Sequence, residues 1–238
     1  MSRRDTLGAI RVGLIALFVT ALVTAQVTAA KVLAFELPVA LPVTGSTLIL
    51  PGAVLAYALT FFASDCYAEL YGKRAAQVVV NVGFVMNFVL LALVWTTIEA
   101  PAFADSPVAA DTFRRVLGAS TGVVAGSLLA YVVSQNWDVW VFHKLGELTG
   151  GAHLWLRNLG STATSQAIDT VIFVTVAFFA VPAVLGGSPL PPPALLGLIV
   201  GQYLLKLLIA VADTPLVYAV VSFARSRQSG GVVPDFSD

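Results

Sequence analysis

Ser64–Gln77 reads SDCYAELYGKRAAQ and follows an apolar run, Leu48–Phe62, without a loop signal between them. We therefore expect one helix to continue from the apolar run into the polar stretch. Asp65, Glu69 and Lys73 would then share one face of that helix, because they recur every four residues. Charges beside a membrane-length apolar segment are costly unless they face protein, water or a ligand. Two interpretations stay open, a salt-bridge ladder at the water boundary and charged groups that face water or a ligand inside the protein.

The composition of the chain is typical of a membrane protein. Hydrophobic residues make up 58% of the 238 residues and charged residues 11%, against about a quarter charged in soluble domains. We expect one transmembrane domain over residues 1–225 and a disordered cytoplasmic tail over residues 226–238. A net charge of zero argues against nucleic acid as a partner. With Cys66 as its one cysteine and only two histidines, the chain is expected to hold no metal and no cofactor.

Length and polarity predict an all-α protein with six transmembrane helices. The second span is expected to begin at Ser46-Thr47, a possible N-cap, and to run to the acidic stretch. The others are expected at about Ile10–Ala30, Ala75–Ile98, Val116–Phe142, Leu154–Val181 and Pro193–Phe223. Three spans precede the acidic loop Glu99–Asp111 and three follow it. This arrangement suits an inverted three-plus-three repeat, because an odd number of helices flips the second half.

The distribution of lysine and arginine predicts the orientation in the cell membrane. Most of these residues outside the spans fall on the side of the N-terminus, whereas Lys31, Arg114 and Arg115 fall on the other. By the positive-inside rule, both termini should be cytoplasmic.

Small residues form stripes on two of the predicted helices. Gly118, Gly122 and Gly126 repeat every fourth residue, as do Gly197 and Gly201. Such stripes let helix backbones approach closely. They are compatible with packing inside one molecule and with the seam of a homodimer.

The fifth predicted helix carries a polar stripe that ends at a carboxylate. Asn158, Thr162, Ser165 or Gln166, and Asp169 follow helical spacing. Asp169 would lie about 20 Å from Trp155, well inside the hydrocarbon. Lys206 would lie about 20 Å from Pro193 on the sixth helix, so the two depths coincide. We therefore predict a contact between the two side chains, which is either a structural ion pair or part of a central cavity.

Three blocks of residues carry a family resemblance. They are Asp65-x3-Glu69-x-Tyr71-Gly72-Lys73 with Ala75 following, Arg157-Asn158-x2-Ser161-Thr162-x3-Gln166-x2-Asp169-Thr170-x2-Phe173, and Gln202-Tyr203-x2-Lys206 with Thr214-Pro215-Leu216-x-Tyr218 behind it. In this order they resemble the signature of the queuosine precursor transporter family of six-helix membrane proteins. The resemblance covers most of the chain from Ser46 to Val221.

The resemblance implies a substrate and a set of candidate binding residues. Members of the family import 7-deazaguanine bases, such as 7-cyano-7-deazaguanine, 7-aminomethyl-7-deazaguanine or queuine, for queuosine or archaeosine synthesis. A carboxylate can accept both donors of a guanine-like edge, and amides can match its carbonyl. The candidate substrate-binding residues are Asp65, Glu69, Arg157, Asn158, Thr162, Gln166, Asp169, Gln202, Tyr203 and Lys206.

Two other classes of function compete with a self-sufficient secondary carrier. A membrane enzyme would need a nucleophile with a base, or a metal cluster, and the chain has no H-E-x-x-H or G-x-S-x-G motif. We therefore expect no enzymatic activity. A substrate-binding subunit of an ATP-driven vitamin-uptake system is similar in size, but ATP would have to come from a partner, because the chain has no nucleotide-binding loop.

Overall fold

The computed structural model describes residues 3–41, 45–150 and 153–229. The elements in order are α1 Arg3–Thr28, β1 Val32–Leu41, β2 Gly45–Pro51, α2 Val54–Tyr71, α3 Lys73–Glu99, α4 Ala110–Gly118, α5 Ser120–Leu148, α6 Leu154–Thr175, a π-helical turn Val176–Ala180, α7 Val181–Val184, and α8 Pro192–Ser229. By length and composition, five helical segments of the described chain can cross a membrane: Gly8–Thr28, Lys73–Glu99, Ala110–Leu148, Leu154–Val184 and Pro192–Arg225. The fold is thus that of a helical, multi-pass membrane protein.

The predicted start of the second span is wrong. Ser46 and Thr47 lie in β2, which pairs antiparallel with β1 and places Thr47 opposite Glu36. The apolar residues after Thr47 suit a strand as well as a helix, and the pairing with β1 decides between the two. The helix begins only at Val54 and contains 18 residues. This helix, α2, is absent from the five apolar segments above.

The helix expected through Ser64–Gln77 is interrupted at Gly72. This residue has φ 89° and ψ 153°, which ends α2 at Tyr71 and lets α3 start at Lys73. A positive φ is readily adopted by glycine and strained for other residues. The expected ladder on one continuous helix face is therefore wrong, because Lys73 belongs to the next helix.

The described chain divides into two compact units. The first contains α1 as far as Ala25, the segment Ala53–Val89, and α8 from Leu207 onward. Its core includes Leu14 of α1, Cys66 and Tyr67 of α2, Ala76 of α3, and Val217 and Val221 of α8. The expected single domain over residues 1–225 stays a prediction. Of the expected tail, residues 226–229 continue α8, and residues 230–238 lie outside the described part.

The second unit contains the β-hairpin, the segment Leu90–Lys206 and the end of α1 from Gln26. Within it, the stripe glycines provide close contacts between elements of the same molecule. A Cβ on Gly122 would lie 2.8 Å from the backbone oxygen of Ala177, and one on Gly201 would clash with the backbone oxygen of Ile49. Packing inside the molecule therefore explains these two glycines, and a homodimer stays a prediction.

Candidate functional site

The second unit contains a buried ion pair between two of the membrane-spanning segments. The Lys206 Nζ on α8 donates to the Asp169 Oδ2 on α6 at 2.5 Å. The lysine side chain is 4% exposed and the aspartate side chain 21%. Each residue lies about 20 Å along its helix from that helix's first residue, which is far inside a hydrocarbon core of about 30 Å. The predicted contact between Asp169 and Lys206 is confirmed.

Two crossed hydrogen bonds tie α6 to α5 beside this ion pair. The Ser134 Oγ donates to the Asp169 Oδ1 at 3.3 Å, and the Ser165 Oγ donates to the Asp138 Oδ1 at 3.2 Å. The reciprocal pairs arise because each helix carries a serine four residues before an aspartate. Both oxygens of the Asp169 carboxylate therefore already accept a hydrogen bond from protein.

Sequence reasoning missed this role for Ser134 and Asp138. The repeated Ser-x3-Asp spacing, in Ser134-x3-Asp138 and Ser165-x3-Asp169, was the available signal. It places the serine and the aspartate of each helix on one face. Two such faces form two hydrogen bonds when the helices pack side by side in opposite directions.

Two glutamine side chains lie near the ion pair along the helices. Gln166 precedes Asp169 by one turn of α6, and Gln202 precedes Lys206 by one turn of α8. The Oε1 atoms of both are buried and accept no hydrogen bond from the described residues. Tyr203 also reaches α6, where its hydroxyl donates to the backbone oxygen of Ala163 at 3.3 Å. Five of the predicted site residues therefore lie on facing stretches of these two helices.

The remaining predicted residues of α6 lie away from this pair. Arg157 places its guanidinium 4.2 Å from the centre of the Phe142 ring on α5. Asn158 and Thr162 are exposed near the start of the helix. The predicted polar stripe is thus divided between an exposed part and a buried part.

Asp65 and Glu69 belong to the first unit, where both side chains are exposed. Asp213 of α8 lies in the same unit and is buried, with 8% of its surface exposed. Glu69 lies 3.7 Å from the Arg225 guanidinium, which also donates to the Glu69 backbone oxygen at 3.1 Å.

Comparison with known proteins places this chain in a family. Residues 51–220 match the family model described as "Putative vitamin uptake transporter". The chain belongs to that family. A Bacillus subtilis (strain 168) member named "Probable queuosine precursor transporter" is 33% identical over 164 residues, which cover 68% of each chain. No solved structure matches the chain.

The family match includes both groups of candidate residues, the one in the first unit and the one in the second. Residues 51–220 contain α2 with Asp65 and Glu69, and the stretches of α6 and α8 that hold the ion pair. The resemblance inferred from the three sequence blocks is therefore confirmed at the level of the family. The role of each residue in binding stays a prediction.

Proposed function

We propose that this protein imports 7-deazaguanine precursors of queuosine or archaeosine across the cell membrane as a secondary carrier. The observation that carries the proposal is the buried Asp169–Lys206 pair, set midway along two membrane-spanning segments of a transporter-family chain. The name of the Bacillus subtilis relative supports the choice of substrate. The proposed activity is transport, without an enzymatic step.

The energetics of the ion pair favour a functional role over a purely structural one. Removing two charges from water costs several kcal/mol per ion, and an apolar pair of similar volume is often as stable or more stable. Charged side chains within membrane spans mark transport pathways by default. A small, flat and nearly neutral base suits a site with a few well-placed polar groups.

The topology in this proposal has six crossings. The α2 helix, with 18 residues, would extend about 27 Å and approach the hydrocarbon thickness. Both termini would be cytoplasmic, and an inverted three-plus-three repeat and a homodimer remain compatible with it. Asp65 and Glu69 would then line the path in the first unit.

Uptake by the purified chain in liposomes tests the proposal. Labelled 7-cyano-7-deazaguanine, 7-aminomethyl-7-deazaguanine and queuine would each be offered with and without a proton gradient. We expect saturable uptake of at least one base by the chain alone. Binding without uptake would favour the substrate-binding subunit of an ATP-driven system, and the absence of both would refute the proposal.

A further inference from the structure

The contact between α6 and α8 contains two acceptor groups to which no residue in the described part of the chain donates a hydrogen bond. Two hydrogen bonds join the helices here. The Tyr203 hydroxyl donates to the Ala163 backbone oxygen, and Lys206 donates to Asp169. Gln166 lies between Ala163 and Asp169 on α6, and Gln202 is adjacent to Tyr203 on α8. The Oε1 atom of each is buried and accepts no hydrogen bond from the described residues.

Two buried and unpaired amide oxygens are unfavourable in a membrane span. Each is buried away from water and gains no hydrogen bond from residues 3–41, 45–150 or 153–229. Folded proteins rarely leave such groups unsatisfied. Gln202 is only 7% exposed. A methionine would fill a similar volume at either position without this cost. The two glutamines therefore point to a ligand that supplies donors.

The ion pair beside them is less suited to accepting hydrogen bonds from a base. Asp169 already accepts from Lys206 at one oxygen and from Ser134 at the other. The ammonium of Lys206 also balances the charge of the carboxylate. The unused acceptors of this stretch are thus the amide oxygens rather than the carboxylate.

We propose that the Gln166 and Gln202 oxygens accept the two donors of the guanine-like edge, the ring N1–H and the exocyclic 2-amino group. This inference rests on the proposed function and specifies how the substrate is recognised. It replaces the expectation that a carboxylate accepts the hydrogen bonds of this edge, and it gives the Asp169–Lys206 pair the role of holding the glutamine-bearing stretches of α6 and α8 in the geometry that substrate binding and transport require. The site would then select bases with a 2-amino group.

A thermodynamic cycle that combines substitution of the glutamines with removal of the ligand's 2-amino group tests this assignment. The ligands are 7-cyano-7-deazaguanine and the same base without its 2-amino group, and Kd is measured for the full chain in detergent. The variants are Gln166→Met, Gln202→Met and the double substitution. Gln77→Met is the matched control, because Gln77 is exposed and bonds to Asn81 in the first unit.

We expect the wild type and the control to prefer the 2-amino ligand by about tenfold or more, the worth of one good hydrogen bond. The double variant should lose this preference to within about threefold and melt at the same or a higher temperature. Its affinity for the analogue should fall as well, because the analogue keeps its ring N1–H, but by less than its affinity for the 2-amino base. The inference would be overturned if the wild type did not prefer the 2-amino ligand, or if the double variant kept the preference. It would also be overturned if the double variant lost affinity for both ligands by the same factor. A wild type that binds neither base and shows no uptake would remove the proposed function as well.

Discussion

Breaking the Asp169–Lys206 pair from one side should destabilise the protein more than removing both charges. Asp169→Asn leaves an ammonium that is 4% exposed without its carboxylate. Loss of one partner of a buried pair costs about 3–5 kcal/mol. Lys206→Met should cost less, on the order of 1–3 kcal/mol, because the remaining carboxylate is 21% exposed and keeps the Ser134 hydrogen bond. The double substitution should be close to the wild type.

Thermal unfolding of the purified protein in detergent measures this order. At about 2–4 °C per kcal/mol for a chain of this size, Asp169→Asn should lower the melting temperature by about 6–20 °C. Uptake in liposomes supplies the second readout, and the double variant should be stable but impaired in transport. The reasoning would be refuted if both single variants were as stable as the double variant or more stable. Full recovery of uptake in the double variant would make the pair purely structural.

Three further changes test other parts of the structure. Gly122→Ala should destabilise the protein by about 1–3 kcal/mol, because the new Cβ would lie 2.8 Å from a backbone oxygen. Gly8→Ala is the control and should leave the melting temperature unchanged, because nothing lies within 4 Å of the position of its Cβ. Asp65→Asn and Glu69→Gln should each cost under about 1 kcal/mol at these exposed sites but abolish uptake; normal uptake by both would remove them from the path. A reporter fused after Phe223 should be active in the cytoplasm, and activity only outside the cell would reverse the orientation.

Local periodicity was sufficient to predict the membrane class and the ion pair. A helix rises 1.5 Å per residue, so the depths of Asp169 and Lys206 follow from their distances to the span ends. The break at Gly72 was also visible in principle, since glycine readily takes the positive φ found there. It was missed because the charge spacing of Asp65, Glu69 and Lys73 fits an uninterrupted helix equally well.

The tertiary structure decided what depends on partners distant in the chain. Ser46 and Thr47 form a strand because β1 supplies the hydrogen bonds, and no local pattern at these residues contains that information. Thr162 and Gln166 share one helical stripe, yet Thr162 is exposed whereas the side-chain oxygen of Gln166 is buried, because neighbouring helices cover one part of the stripe and leave the other exposed. Spacing along a chain determines which side chains share a face. Whether that face meets another helix, and whether its polar atoms find donors there, is determined only by packing.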